Sequence, residues 1–143
     1  MKKHILTAFI ISILTLPACN TSKKITQKKQ VSINNSWELI EYNGSAIDTE
    51  VFNRAIPTFT FNSEEGSFGG NNGCNSVQGK MEVDGSKIKL NIQLGTKMYC
   101  EGVPEAELEA KISEVNNYKI QDKKLILNKD KETLFVFKLV EQQ

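Results

Sequence analysis

Val77 to Ile92, VQGKMEVDGSKIKLNI, is the stretch that decides the fold. Its first half alternates Val77, Gly79, Met81 and Val83 against Gln78, Lys80 and Glu82. After a break it resumes with Ile88, Leu90 and Ile92 set against polar neighbours. A period of two puts one row of side chains on a core and the other in water, the pattern of a half-buried strand. Asp84-Gly85 lies between the two halves and is a strong hairpin turn signal, so the stretch predicts two antiparallel strands.

Working outward, the same period recurs on both sides. Ser36 to Tyr42 (SWELIEY) places Trp37, Leu39 and Glu41 on one face, with Ile40 and Tyr42 on the other. Thr58 to Phe61 follows Pro57 and carries Phe59 and Phe61 on one face. Toward the end of the chain, Tyr118 to Gln121, Lys124 to Leu127 and Leu134 to Val140 repeat the design, and Lys129-Asp130-Lys131 marks the last turn. Pro104 to Val115 (PEAELEAKISEV) breaks the pattern, with Leu108, Ile112 and Val115 at i, i+4 and i+7. Proline at the expected first helical position and Glu105 and Glu107 near the positive end of the dipole predict an amphipathic helix over about 104–116. Glu107 and Lys111 are spaced for an i,i+4 pair, and the charged face reads as solvated surface. The expected fold is mainly β (α+β): a small antiparallel, barrel-like sheet of seven or eight strands, with the helix over one end.

The chain has 143 residues, 39% hydrophobic and 24% charged, the composition of a single soluble globular domain. Met1-Lys2-Lys3-His4 is a basic start, and Ile5 to Leu16 (ILTAFIISILTL) is a 12-residue run without a charge. That run is too short for a membrane span, which needs about 20 residues, and has the layout of a secretory signal peptide. Leu16-Pro17-Ala18-Cys19 then resembles a bacterial lipobox. The resemblance implies cleavage of residues 1–18 and acylation of Cys19, with proline a departure from the commonest pattern. Residues 19–35 follow as a tether containing Lys23, Lys24, Lys28 and Lys29 and no acid, with a span of roughly 20–25 Å. The folded domain is expected over 36–141.

Charge and histidine content exclude several functions. The formal net charge is +1, and without Lys2 and Lys3 the remainder carries 16 basic and 17 acidic side chains. Nucleic acid is therefore not an expected partner. The only histidine, His4, falls in the signal segment, so the domain has no Ser-His-Asp or Cys-His arrangement and no imidazole metal ligand. No nucleophile motif appears, and Glu64-Glu65 and Asp48/Glu50 are placed like solvated loop carboxylates. The expectation is no enzyme, no cofactor and no metal.

Between Trp37 and Val140 the chain carries Trp37-Glu38-Leu39, Pro57-Thr58-Phe59-Thr60-Phe61, Gly69-Gly70-Asn71-Asn72-Gly73-Cys74-Asn75 with Gly79, Thr96-Lys97-Met98-Tyr99-Cys100, the helix from Pro104, Tyr118, and Leu125-Ile126-Leu127. In that order these marks resemble the META domain family, which includes the heat-shock-inducible HslJ-type lipoproteins. The resemblance implies a small barrel-like β fold, an envelope location and links to stress tolerance, secretion and virulence. From the residues themselves, Gly69, Gly70 and Gly73 suit a loop of positive φ and close backbone approach. Asn71, Asn72 and Asn75 suit turn hydrogen bonds, and strand signals on both sides argue against a phosphate cradle. Trp37, Phe59, Phe61, Phe135 and Phe137 are read as core.

With Cys19 lipidated, Cys74 and Cys100 are the remaining thiols in an oxidising compartment, and even arithmetic favours a disulfide over two buried free cysteines. The contact surface is expected on the loop from Phe68 to Asn75, with Phe68 either an apolar anchor or a packed core residue. Three functions follow: a membrane-anchored, non-enzymatic binding or assembly lipoprotein with a protein or small-molecule partner; a small-molecule carrier with a barrel cavity; or an inhibitor of a foreign hydrolase. The expected location is the bacterial cell envelope, at the outer membrane facing the periplasm if there are two membranes, because Asn20 follows the cysteine where aspartate would signal retention.

Overall fold

A computed structural model describes residues 30–141. The expected signal peptide, Cys19 and the tether as far as residue 29 lie outside the described residues. The elements run β1 (Ser36–Tyr42), β2 (Ser45–Ala46), β3 (Thr58–Asn62), β4 (Ser67–Asn71), β5 (Ser76–Asp84), β6 (Lys87–Gly95), α1 (Glu105–Glu114), β7 (Asn117–Gln121), β8 (Lys124–Lys129) and β9 (Glu132–Leu139). Every pairing is antiparallel, and β1 pairs β9 as well as β3, so the sheet closes into a ring. The mainly-β reading with a barrel-like sheet and one helix therefore holds.

Two strands have no signal in the alternation. β2 is a two-residue return on β1 through Asn43 and Gly44, both at positive φ. β4 occupies residues 67–71, where glycines and asparagines predict a loop, and it pairs along its whole length with β3 and β5. Phe68 is its one inward apolar residue, so no period is visible in the sequence. A Cβ at Gly70 would lie 1.9 Å from the carbonyl oxygen of Thr58, and only glycine lets β3 and β4 approach this closely.

The ring is weakest between β6 and β7, which share one pair, Lys87 with Asn117. The helix that connects these strands packs against β6 and sends Leu108 and Ile112 into the core, with Val115 just beyond its end. Pro104 stands immediately before the helix rather than in its first turn. Lys111 pairs with Glu114 at 3.2 Å, so the expected Glu107–Lys111 pair does not form; Glu107 accepts instead from the Tyr42 hydroxyl at 2.7 Å.

The interior is filled by Trp37, Leu39, Phe59, Phe137, Leu125 and Leu127, each at most 1% exposed, and by the residues packed around them. Burial of one such side chain contributes about 1.5–3 kcal/mol. The indole N–H of Trp37 donates to the Ile33 carbonyl at 2.8 Å, and Ile33 is itself buried. Packing thus begins before β1, inside the stretch expected to be tether. The β5–β6 pairing closes on Gly85 and Ser86, one residue later than the Asp84-Gly85 signal, with Gly85 at φ 59°. Three bulges re-phase the strands. The one between Leu39 and Glu41 returns Tyr42 to the core side, where its ring stacks on Phe135 at 5.4 Å, contrary to the face expected from strict alternation.

Candidate functional site

The turn from Asn71 to Asn75 leaves β4 and enters β5, and its side chains build the most polar buried region of the domain. The Asn71 carboxamide oxygen accepts the Gly73 N–H at 2.6 Å, and Gly73 has a φ of 102°. The Asn72 oxygen accepts the N–H groups of Cys74 and Asn75 at 3.1 and 2.7 Å. These are local turn bonds of the kind asparagine favours. Asn72 and Asn75 are 0% and 2% exposed, so their remaining polar atoms must find partners far along the chain.

They find them on α1 and on the loop after β6. Asn72 donates to the Glu109 carboxylate at 2.8 Å, and Asn75 donates to the Glu105 carboxylate and to the Met98 carbonyl. The Asn75 oxygen accepts from the Thr96 hydroxyl and the Met98 N–H, both at 2.7 Å. Cys74 and Cys100 are joined by a disulfide with Cα atoms 5.8 Å apart, as the cysteine arithmetic predicts. No buried side-chain nitrogen or oxygen among the described residues lacks a partner. The loop over residues 96–100 is thus tied at Thr96, Met98 and Cys100, and it turns Met98 and Tyr99 outward, 44% and 86% exposed. A cleft of about 390 Å³ separates this loop from the first half of α1.

This geometry corrects the contact loop expected over Phe68 to Asn75. Phe68 is 4% exposed and stacks on Phe61 at 5.8 Å, so it is core and offers no anchor. Gly69, Gly70 and Asn71 lie in β4 between two paired neighbours, and Asn72, Gly73 and Asn75 are buried. No rigid loop protrudes there, and the hydrolase-inhibitor reading loses its support. Trp37, Phe59, Phe135 and Phe137, all fully buried, occupy the ring interior where the carrier reading expects a cavity.

Glu105 and Glu109, predicted as solvated surface, are the partners that sequence reasoning missed. Their i,i+4 spacing was visible, but nothing local points to asparagines 30 and 37 residues away. The loop carboxylates are not brought into a site. Asp48 accepts the Glu50 N–H at 2.8 Å in one exposed turn, and Glu64 and Glu65 lie in another, capped by Asn62. Among the described residues no group of three or more His, Cys, Asp or Glu is placed to hold a metal, and no helix is long and apolar enough to cross a membrane. Cys19 lies outside the described residues.

Elsewhere on α1, burial and then the Glu107 carboxylate raise the Tyr42 phenol well above the usual tyrosine range. Hydrogen bonds from Lys129 and Lys111 hold Glu114 below the usual carboxylate range, and the same Glu114 raises Lys129.

A closed antiparallel ring with one connecting helix and a disulfide-tied asparagine turn defines a small β-domain class. The META domain family model matches residues 29–141, and the chain belongs to that family. Curated proteins provide no match. Among solved structures, the fold is similar to that of a DUF4847-family protein from Bacteroides vulgatus ATCC 8482, at 18% identity and a TM-score of 0.54 over 78% of this chain and 96% of that one. It is also similar to a protein from Burkholderia xenovorans, at 20% identity and a TM-score of 0.57 over 76% and 83% of the two chains. Likeness at this identity concerns the fold.

Proposed function

We propose that this protein is a lipid-anchored envelope lipoprotein whose META domain binds a protein partner through the 96–100 loop and carries out no reaction. The observation that carries the reading is the way the buried amides are used. Asn72 and Asn75 occupy Glu105 and Glu109 as hydrogen-bond acceptors, so this buried polar cluster braces a loop. What the brace presents is Met98 and Tyr99 on a loop whose backbone is tied before any partner arrives, which lowers the ordering cost of binding. Tyr and Met are side chains that protein interfaces favour. The anchor rests on the signal segment and the Leu16-Pro17-Ala18-Cys19 lipobox. Two or three acyl chains would hold the domain stably at a membrane, where one would not.

The test is photo-crosslinking in intact cells from position 99, beside a strain carrying Cys19→Ser. The expected result is a discrete crosslinked species from position 99, absent with the crosslinker at exposed Lys131, and loss of the protein from the membrane fraction in the Cys19→Ser strain. Equal capture from both positions removes the loop as the contact. Unchanged fractionation of Cys19→Ser removes the anchor.

A further inference from the structure

The turn that braces the 96–100 loop also seats a second loop beside it. A Cβ on Gly73 would lie 2.6 Å from the Phe52 ring and 3.3 Å from Val103, so the bare backbone lets Phe52, 5% exposed, pack onto the turn. Phe52 belongs to the segment over 47–57 that joins β2 to β3. Two residues on, Arg54 is exposed, and its Nη2 lies 3.9 Å from the Met98 sulfur. The guanidinium therefore stands beside the loop that carries Met98 and Tyr99.

Two features set this cation apart. Arg54 is the one arginine among the 18 basic residues of the chain. Its N–H donors are also unspent. Among the described residues it joins none of the ion pairs, and its polar contact is a thioether, a weak acceptor. The helix carboxylates on the other side of the loop are in the opposite condition, because Glu105, Glu107 and Glu109 already accept from Asn75, Tyr42 and Asn72. Lys97 and Glu101, both exposed, offset each other. The charge left to be matched beside Met98 and Tyr99 is the guanidinium.

We infer that the partner presents an acidic peptide segment, whose carboxylate pairs with Arg54 while apolar side chains next to it cover Met98 and Tyr99. This rests on the 96–100 loop being the contact. A planar guanidinium offers two parallel N–H groups to a carboxylate, a geometry that an ammonium does not reproduce. Arginine, tyrosine and methionine are all enriched at protein interfaces, and here they adjoin. A densely anionic surface, lipid or nucleic acid, would set further negative charge against Glu101 and the helix carboxylates. A basic segment would meet Arg54 and Lys97 with like charge.

The test is photo-crosslinking from position 99 of the full chain in intact cells, with Arg54 kept or changed, and sequencing of the crosslinked partner peptide. The expected peptide carries Asp or Glu beside apolar residues, and its yield falls at least about tenfold in Arg54→Gln. Arg54→Lys should recover only part of that yield. Arg54→Glu should abolish capture, and changing the identified acid of the partner to lysine should restore it, which a merely structural role of Arg54 would not allow. Arg54 is exposed, so the melting temperature of each variant should be unchanged. A species captured from position 99 but indifferent to Arg54→Gln, linked at a segment without an acid, or not restored by the reversed pair overturns the inference and leaves the loop as the contact. Capture of lipid in place of a peptide overturns it as well. No species from position 99 overturns both the inference and the contact on which it rests.

Discussion

At the scale of single residues, two positions carry more than their size suggests. Gly70→Ala places a methyl group 1.9 Å from the Thr58 carbonyl oxygen, against backbone that cannot swing away. β3 and β4 must separate, and urea denaturation should show a loss of about 2–3 kcal/mol. Asn75 makes a sharper test, because its carboxamide bonds to the Thr96 hydroxyl, the Met98 N–H and carbonyl and the Glu105 carboxylate. Asn75→Ala should cost about 2–4 kcal/mol by leaving the Met98 N–H and the Glu105 carboxylate without their partner. Asn75→Asp keeps the acceptor but sets a second carboxylate against Glu105. Folding then favours the protonated form, so the deficit of this variant should be largest at pH 7 and shrink as pH falls toward 4. A deficit independent of pH would show that Glu105 does not face position 75. The asparagines were legible as turn formers because those bonds are local. Their carboxylate partners were not, because a hydrogen bond across 30 or 37 residues has no sequence period.

At the scale of elements, the β5–β6 hairpin and α1 were readable from periodicity, and the ways they attach were not. α1 is tied to β1 by Tyr42 and Glu107, and to the end of β8 by Glu114 and Lys129 at 3.0 Å. The Tyr42 phenol is raised in the folded state, so its contribution is complete below the unfolded value of about 10 and is lost as pH rises through the folded value. Urea midpoints measured from pH 7 to 11 should fall above pH 10, and Tyr42→Phe should flatten that fall. Glu114 has the opposite sign. Its pKa is lowered by Lys129 first and then Lys111, so its contribution is present above the ordinary carboxylate value and is lost as pH falls through the lowered one. Glu114→Gln should therefore reduce the acid dependence of stability and leave the alkaline limb unchanged. The bulge in β1 shows why facing was misread at Tyr42: one extra residue reverses every later assignment on a strand of period two.

At the scale of the whole molecule, closure of β1 on β9 joins the two ends of the fold, and the Cys74–Cys100 bond ties the turn before β5 to the loop after β6. The disulfide spans a sequence separation of 26, and the chain-entropy model gives about 3.5 kcal/mol for a loop of that size. A Cys74→Ala, Cys100→Ala double variant should lose about that much in urea denaturation and keep its β-sheet circular dichroism, because the ring core does not include the bond. Loss of all β structure would mean that the disulfide is required for the ring itself. The sequence by itself determined the strands with clean alternation and the helix α1, and its cysteine count favoured the pairing, since each is written in short-range spacing or in counts. Tertiary structure decided that β4 is a strand, that Phe68 is core, that Leu94 faces water and that Glu105 and Glu109 brace the Met98–Tyr99 loop. Each of those depends on which distant backbone lies alongside, and neither a two-residue nor a 3.6-residue period carries that information.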